Sequence, residues 1–304
     1  MALQNIILVG AGGSLGVALI KGLTSEPSFS VSVLVRASSS TLKTIPKEYP
    51  SVTIRKISDS CPKDELIEAF KGQDAVVNAT TAVKEQYRFI DAAIEAGVKH
   101  YVPSEFGLDN SRAEARAMCA LFDGKGKIAE YLESKKSTGL TWHAIGCGMW
   151  IDWAFKNSFL GLDYANRTIS FYDDGRGKFS TSTLANTALA LNRSLLAPEK
   201  TKNRRIFISD FALSQEELVQ IIEHVSGEKW TVKTVDSKAR YAEASKKVAE
   251  GDPYAVYTQI EIGFATGKYG GHFEEKEELF NNVLGLPKQD KEEVVRNALK
   301  SMES

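Results

Sequence analysis

Short apolar runs recur along the first half of the chain and alternate with longer stretches of helical pattern. Apolar runs of this kind are typical of strands that are buried on both faces of a parallel sheet. The predicted strands are residues 6–9, 31–35, 52–54, 74–78, 100–103 and 141–145. The predicted helices between them are residues 17–23, 62–70, 86–96 and 125–136. Strand and helix in strict alternation predict an α/β fold with a doubly wound parallel sheet.

The hydrophobic pattern becomes less regular after residue 150. The later predicted elements are a helix at 184–196, a strand at 205–209 and a helix that Ser214 and Glu217 open as a capping box. We expect the first two of these elements to return to the main sheet. The pattern therefore predicts two domains. The first covers residues 1–150 with a return segment at 180–210, and a smaller C-terminal α/β lobe covers residues 151–304.

A glycine-rich loop lies between the first predicted strand and the first predicted helix. Its residues are Gly10, Ala11, Gly12, Gly13, Ser14, Leu15 and Gly16. A strand before the loop and a helix after it are the context of a dinucleotide-binding loop in a Rossmann-type sheet. Gly10 permits the tight turn, Gly13 lets the backbone approach a pyrophosphate, and Gly16 allows the helix to pack on the strand. The alternative is a tight turn without a ligand, which the flanking elements make the weaker interpretation.

The residue that ends the second strand indicates which dinucleotide binds. A loop that binds NAD commonly has an acidic residue about 20 positions further on, which accepts a hydrogen bond from the ribose 2′-hydroxyl. Here that position is Arg36, whose guanidinium can hold a 2′-phosphate, and Ser38 and Lys43 can assist it. We therefore predict NADP(H) as the cofactor. The alternative is a solvated arginine at a strand end.

Two further segments follow strands at the edge of the sheet where ligands bind. Ala79, Thr80 and Thr81 come after the fourth strand, and small polar side chains there can line the nicotinamide half of a cofactor. A loop that satisfies its own backbone is the alternative for these residues. Ser104, Glu105 and Phe106 come after the fifth strand, and we include them among the cofactor-binding residues.

The composition excludes several classes of protein. Hydrophobic residues at 43% and charged residues at 25% are typical of a folded globular chain. The 38 Lys+Arg residues balance the 39 Asp+Glu residues, and the net charge of -1 offers no electrostatic footprint for a nucleic acid. No window approaches the roughly 18 apolar residues of a membrane span, and the N-terminus lacks a signal-peptide pattern. We expect a cytoplasmic protein without a membrane partner.

Cysteine and histidine spacing predicts no metal site. The three cysteines show no paired spacing, and the four histidines show no ligand spacing. We interpret His143, within a predicted strand, as a core histidine with satisfied hydrogen bonds.

Four sequence blocks together resemble one known family. They are the glycine loop, Val33-Leu34-Val35-Arg36, Pro103-Ser104-Glu105-Phe106-Gly107 and Lys125-Gly126-Lys127-Ile128. The combination is similar to the NmrA-like proteins, and within them to the isoflavone reductase and phenylcoumaran benzylic ether reductase branch of atypical short-chain dehydrogenase/reductases. The resemblance covers about the first half of the chain. It implies a Rossmann domain that uses NADPH, a smaller C-terminal substrate domain, and reduction of an aromatic plant or fungal metabolite.

The resemblance also implies a catalytic lysine that opens the helix after the Pro-Ser-Glu-Phe-Gly block, and Lys125 matches that position. Lys127 lies about 200° further around the helix, so the two side chains cannot face the same way. Ile128 and Leu132 follow Lys125 at helical spacing, which places Lys125 at the buried edge. Hydride delivery to an electron-poor carbon builds negative charge on a conjugated oxygen, and a desolvated lysine can supply a proton or a positive charge there. The alternative is a solvated lysine at a helix start.

Tyr131 and Lys135 fit the Tyr-x-x-x-Lys pair of conventional short-chain dehydrogenases. They lie at the far end of the predicted helix, whereas catalytic groups belong near the carboxyl edge of the strands, where this helix begins. We therefore interpret Tyr131 and Lys135 as surface residues.

Candidate substrate contacts lie after the sixth strand and near the C-terminus. They are Cys147, Met149, Trp150, Trp153 and His272. An aromatic cluster is more often core than pocket, and Cys147 is better explained as a small buried residue than as a nucleophile.

The leading hypothesis is an NADPH-dependent reductase of an aromatic or conjugated small molecule in secondary metabolism, acting as a monomer or homodimer. One alternative is an enzyme that borrows and returns the hydride during an isomerisation or cyclisation. Another is a non-enzymatic, NADP-binding redox sensor of the NmrA type. Such sensors often lack a lysine at this position, so Lys125 favours an enzyme.

Overall fold

The computed structural model describes residues 3–302. The first two residues of the first predicted domain and the last two residues of the second lie outside the described part. Its main feature is a seven-stranded sheet. In spatial order its strands are β11 (Arg204–Phe207), β6 (Thr141–Gly146), β5 (His100–Val102), β4 (Ala75–Asn78), β1 (Asn5–Val9), β2 (Ser30–Arg36) and β3 (Thr53–Ile57). Strand β1 pairs in parallel with both β2 and β4, so the strand order reverses at β1. The predicted doubly wound parallel sheet is confirmed.

The helices follow the predicted alternation in the first half of the chain. In chain order they are α1 (Ser14–Thr24), α2 (Thr41–Glu48), α3 (Lys63–Phe70), α4 (Val83–Glu95), α5 (Ala113–Met118), α6 (Ala120–Ser134), α7 (Ile151–Lys156), α8 (Leu184–Leu196), α9 (Pro198–Thr201), α10 (Gln215–Ser226), α11 (Ser237–Ala249), α12 (Ala255–Ala265), α13 (Phe273–Lys276) and α14 (Lys291–Lys300). No helix within residues 3–302 has both the length and the apolar character needed to cross a bilayer.

The chain divides into two compact units, and both are built from separated segments. The first unit extends through Glu105 and adds Gly124–Ile145 and Thr187–Ile206. The second unit holds Phe106–Asp123, Gly146–Asn186 and the chain from Phe207 onward. The second unit contains slightly more residues than the first, whereas the sequence pattern predicts a smaller C-terminal lobe. The sequence pattern predicts one boundary at residue 150 and one return segment, whereas each unit of the structure is assembled from three separate segments of the chain.

The segment after β5 joins the second unit because its apolar side chains belong to the hydrophobic core there. Leu108, Met118 and Phe122 are almost fully buried and share one cluster with Ile262 and Val295. The two small sheets of this unit are β12 (Phe211–Leu213), β10 (Phe179–Ser182) and β7 (Met149–Trp150), and β13 (Thr231–Val235), β9 (Thr168–Tyr172) and β8 (Leu162–Asp163).

One local sequence signal in the later chain has the predicted outcome. The Ser214 Oγ atom accepts the Glu217 N–H at 3.2 Å, and the Glu217 carboxylate accepts the Ser214 N–H at 2.8 Å. This reciprocal pair is the predicted capping box at the start of α10.

Helix α8 supports the helix that follows the glycine loop. Asn192 of α8 donates its side-chain N–H to the Gly22 carbonyl of α1 at 2.7 Å. Ala188 packs so closely that a Cβ added at Gly22 would lie 3.0 Å from the Ala188 Cβ. Helix α1 is therefore packed against a segment about 170 residues later in the chain.

A buried hydrogen-bond chain crosses β5, β6 and α8 in the first unit. His100 Nε2 and His143 Nδ1 are 2.6 Å apart, and His143 Nε2 lies 2.8 Å from Ser194 Oγ. Ser194 donates its hydroxyl to the Leu191 carbonyl, so its oxygen accepts a hydrogen bond from the N–H at His143 Nε2. Burial lowers the pKa of His100 to about 4, and burial together with His100 lowers the pKa of His143 well below its usual value. His143 is the satisfied core histidine that the sequence predicts.

This pair makes the folding stability depend on pH. Below about pH 6.5 the unfolded chain protonates both histidines, whereas folded His100 stays neutral until about pH 4. Between these two pH values the unfolded state binds more protons than the folded state. The free energy of unfolding therefore decreases as the pH falls from about 6.5 to about 4, by on the order of 3 kcal/mol. Chemical denaturation at several pH values measures this slope. We expect His143→Gln to flatten it. An H143Q slope equal to that of the parent chain would contradict the assignment.

Candidate functional site

The glycine loop between β1 and α1 is packed closely against backbone atoms at Gly10 and Gly16. Gly10 has a φ of +91°, and a Cβ added there would lie 2.8 Å from Thr80 Cγ2 and 3.0 Å from the carbonyl carbon of Ala79. A Cβ added at Gly16 would lie 2.1 Å from the Gly10 carbonyl oxygen. The loop, the start of α1 and the end of β4 are therefore packed backbone against backbone.

Gly13 differs from Gly10 and Gly16. It is the residue before α1, with φ −83° and ψ 167°, and apart from its two chain neighbours no described atom lies within 4 Å of a Cβ added there. The first turn of α1 contains no acidic residue. Its N–H groups therefore keep the partial positive charge that attracts phosphate at a helix N-terminus.

A cavity of about 600 Å³ adjoins this loop within the first unit. The sequence-predicted residues that line it are Gly10, Ala11, Gly12, Gly13, Arg36, Ala79, Thr80 and Thr81. The structure thus brings the glycine loop, the end of β2 and the end of β4 together at one site. These are the parts that a dinucleotide bound at the reversal of strand order would contact.

Other predicted cofactor residues do not belong to this lining within the described chain. Ser14, Leu15 and Gly16 form the first turn of α1 behind the loop, and Ser38 and Lys43 are exposed outside it. Ser104 and Glu105 are buried elsewhere in the first unit, and Phe106 belongs to the second unit. Their cofactor role stays a prediction.

Several residues that line the cavity are not among the sequence-predicted ones. They are chiefly Ser39, Thr41, Asp59, Cys61, Glu85 and Arg88. Ser39, Thr41 and the segment 59–61 come from loops and a helix start beside the strand ends, and Arg88 lies on α4. The only available signal was the position of Asp59 and Cys61 just after β3, at the same edge of the sheet as Arg36.

The end of β4 is held by one buried amide. The Asn78 Oδ1 atom accepts both the N–H and the hydroxyl of Thr80, each at 2.9 Å, and Asn78 Nδ2 donates to the Tyr101 hydroxyl at 3.2 Å. The loop therefore satisfies its own polar groups, as the alternative interpretation expected, and also lines the cavity.

Lys125 lies in the second turn of α6 rather than at its start. The helix begins at Ala120 because apolar residues there extend it toward the N-terminus, and Gly124 lets it approach Val83 closely. Lys125 is buried and donates from Nζ to the Glu105 carbonyl at 2.6 Å, whereas Lys127 is exposed. The helical spacing thus identified the buried lysine correctly, although the helix start was wrong.

The segment that accepts the Lys125 hydrogen bond is fixed by buried polar groups. The Glu105 side chain is only 2% exposed and lies 3.4 Å from Arg205 Nη2. The Ser104 N–H donates to the Gln86 side-chain oxygen at 3.0 Å. These contacts restrict the position of the Glu105 carbonyl, and through it the position of the Lys125 ammonium.

Tyr131 and Lys135 form a separate cluster near the C-terminal end of α6. The Tyr131 hydroxyl donates to Asp91 at 2.7 Å, and Lys135 Nζ lies 4.5 Å from the centre of the Tyr131 ring. Burial raises the pKa of Tyr131. The two residues are half-buried rather than fully solvated, and the cavity lining does not include them.

The five predicted substrate residues lie in the second unit. Cys147 is fully buried, and its carbonyl accepts the Ser182 hydroxyl at 2.7 Å. Met149 belongs to the hydrophobic core, and Trp153 packs against it, edge-on to Phe159 with 5.2 Å between ring centroids.

The remaining two candidates are less enclosed. Trp150 is half-buried, and His272 is half-buried with Nδ1 3.3 Å from a Glu275 carboxylate oxygen. These contacts give Met149 and Trp153 a packing role, and substrate contact at all five positions stays a prediction.

Comparison with known proteins assigns a family. The sequence profile described as the NmrA-like family matches residues 3–251. The chain is 34% identical over 300 residues to "Oxidoreductase aprR" of Aspergillus flavus, covering 97% of this chain and 99% of that protein.

Solved structures have the same fold at lower identity. The crystal structure of isoflavone reductase superposes with a TM-score of 0.81 at 20% identity, covering 99% of this chain and 100% of that one. AtPrR2 with NADP+ and (+)pinoresinol superposes with a TM-score of 0.77 at 20% identity, covering 98% and 99%. The chain therefore belongs to the NmrA-like family, as its glycine loop and Pro-Ser-Glu-Phe-Gly block predict, and it has the fold of isoflavone reductase.

Proposed function

We propose that this protein is an NADPH-dependent oxidoreductase that reduces an aromatic or conjugated small molecule in secondary metabolism. The observation that carries the proposal is the cavity of about 600 Å³ in which the glycine loop and Arg36 lie together. A relative covering nearly the whole chain is named an oxidoreductase, and AtPrR2, which has the same fold, has been solved with NADP+ and (+)pinoresinol.

The residues of the cavity fit the parts of NADPH. The open space at Gly13 and the N–H groups at the start of α1 suit a pyrophosphate, which the Gly10 turn directs toward the helix. Arg36 is exposed at the end of β2, where its guanidinium can form paired hydrogen bonds with a 2′-phosphate. When bound, NADPH supplies a hydride.

Lys125 supplies the complementary proton in this proposal. Its ammonium is withdrawn from water and oriented by the Glu105 carbonyl, whose own side chain is buried and lies beside the partly exposed Arg205. The oxygen of a conjugated carbonyl gains negative charge as the substrate is reduced, and the Lys125 ammonium donates a proton to it. The Glu105 carbonyl keeps Nζ in one position before and after the transfer.

The charge of Arg36 gives a direct test of the cofactor assignment. We expect Arg36→Ala to weaken NADPH binding by about 10- to 100-fold, because charge-assisted hydrogen bonds to a phosphate are lost. Binding of NADH, which has no 2′-phosphate, should stay within about twofold. Calorimetric titration with NADPH, NADP+, NADH and NAD+ measures both effects. Lys47→Ala removes an exposed charge from nearby α2 and serves as the control. Equal losses for NADPH and NADH would overturn the 2′-phosphate role.

Product analysis separates the proposed reductase from its alternatives. Incubation with NADPH and a panel of aromatic enones should consume one NADPH for each product formed. A product made without net NADPH loss would indicate a borrowed and returned hydride. Tight NADPH binding without conversion of any compound, and a preference for the oxidised cofactor, would indicate a redox sensor.

A further inference from the structure

Asp59 places a carboxylate in the wall of the proposed cofactor cavity. It follows β3 and lines the same cavity as Arg36. Its Oδ1 atom accepts two hydrogen bonds from Ser38, one from the backbone N–H at 3.0 Å and one from the hydroxyl at 2.8 Å. These two bonds, and to a smaller extent the Arg36 guanidinium, lower the pKa of Asp59. The carboxylate is therefore ionised at neutral pH and within electrostatic reach of Arg36.

The position of this charge conflicts with a simple NADPH site. A 2′-phosphate carries a charge between about −1 and −2 near neutral pH, and it is held best by a guanidinium together with N–H and hydroxyl donors. Arg36 provides a guanidinium in the cavity lining at the end of β2, and Ser38, two residues further on and exposed outside that lining, has an N–H and a hydroxyl to donate. Asp59 partly neutralises the charge of Arg36 and accepts hydrogen bonds from both the N–H and the hydroxyl of Ser38. A ribose 2′-hydroxyl is uncharged and can donate a hydrogen bond to a carboxylate, so Asp59 does not repel it.

We propose that Asp59 is a specificity-determining residue that competes with the 2′-phosphate for Arg36 and Ser38 and so restrains the preference for NADPH over NADH. The inference rests on the proposed cofactor site. In this account Arg36 favours NADPH and Asp59 limits the margin, so the protein retains measurable affinity for both reduced cofactors.

A purely structural role for Asp59 is a weaker explanation, because the loop after β3 has other supports. Arg88 donates from Nη1 to the Ser60 carbonyl at 2.9 Å and to the Cys61 carbonyl at 3.0 Å. The Glu65 carboxylate accepts the N–H and the hydroxyl of Ser58, each at 2.6 Å. The turn conformation is thus held on both sides of Asp59 without its charge.

The decisive variant is Asp59→Asn, which removes the charge but keeps an oxygen that can accept from Ser38. A negative charge within a few ångströms of a phosphate in a water-exposed site is expected to weaken binding by on the order of tenfold. D59N should therefore bind NADPH about tenfold more tightly than the parent chain and bind NADH within about twofold of it. The gain should shrink at high salt, because exposed charges are screened. Asp64→Asn removes an exposed carboxylate from α3 of the same unit and is the matched control.

A second set of variants tests the competition for Ser38. Asp59→Ala removes the charge and also frees the Ser38 donors, so NADPH should gain a further few-fold over D59N. Adding Ser38→Ala to D59A should cancel that further gain, whereas Ser38→Ala alone should change NADPH binding little. Should D59N fold poorly in a thermal melt, Asp59→Ser carries the same expectation as D59A.

Each outcome of these titrations has a defined meaning. Equal changes for NADPH and NADH, or an unchanged ratio, would overturn the role of Asp59 while leaving the cofactor site in place. Weaker NADPH binding in D59N would show that Asp59 supports the cofactor rather than opposing the phosphate. Failure of the parent chain to bind any of the nucleotides would instead refute the proposed function itself.

Discussion

Replacing Lys125 with methionine is expected to lower turnover by about 100- to 10,000-fold and to leave NADPH affinity within about twofold. Methionine keeps the buried apolar stem but has no proton to give, so the negative charge that forms on the substrate oxygen loses its partner. The effect should fall on kcat, because the lost interaction belongs to the transition state rather than to cofactor binding.

Stopped-flow loss of NADPH absorbance on the best substrate of an aromatic-enone panel measures this effect, and nucleotide titration verifies the binding. The matched control is Lys127→Met, two residues further along the same helix and exposed. It should retain the parent rate. A K125M protein that melts like the parent chain, binds NADPH and keeps full turnover would remove Lys125 from the chemistry.

The second large effect concerns two glycines three residues apart. Gly16→Ala should destabilise the first unit by about 3 kcal/mol or more, because its Cβ would lie 2.1 Å from the Gly10 carbonyl oxygen and the backbone would have to move. Alanine is ordinarily about 1 kcal/mol better than glycine within a helix, so the sign of the change reports the close packing. Denaturant titration with and without NADPH gives the stability of each protein.

Gly13→Ala supplies the contrast. The backbone at Gly13 is extended, and an added methyl group meets no described atom within 4 Å apart from its chain neighbours, so the fold should be unaffected. The methyl group would occupy the space proposed for the pyrophosphate, and NADPH affinity should fall by about tenfold or more. A G13A protein that binds NADPH normally would place the pyrophosphate elsewhere.

Strands and most helices of the first unit could be predicted because their burial pattern is local. Helix α2 has no such pattern and was not predicted, because Ile45 is its only buried side chain and Pro46 lies inside it. The start of α6 was placed five residues late because Gly124 and Gly126 interrupt the helical pattern. Gly124 is explained by the nearby Val83, a contact between distant parts of the sequence.

The site was predictable where it depends on strand ends and not where it depends on side chains of distant elements. The glycine loop, Arg36 and the Ala79–Thr81 segment follow buried strands and line the cavity. Asp59 and Arg88 also line it, but their roles depend on a hydrogen bond to Ser38 and on a contact from α4 to the loop after β3. Single-sequence periodicity carries no information about such pairings.

The contact between Asn192 and Gly22 has a consequence for synthesis of the protein. The two residues are 170 positions apart, and a ribosome that adds about 5 to 20 residues per second needs roughly ten to thirty seconds to cover that distance. During this time the nascent chain has the glycine loop and α1 but not the helix that packs against them. The first unit is complete only when the internal segments of the second have also left the ribosome. We therefore expect the nascent chain to acquire nucleotide affinity late, after the segment Thr187–Ile206 has emerged.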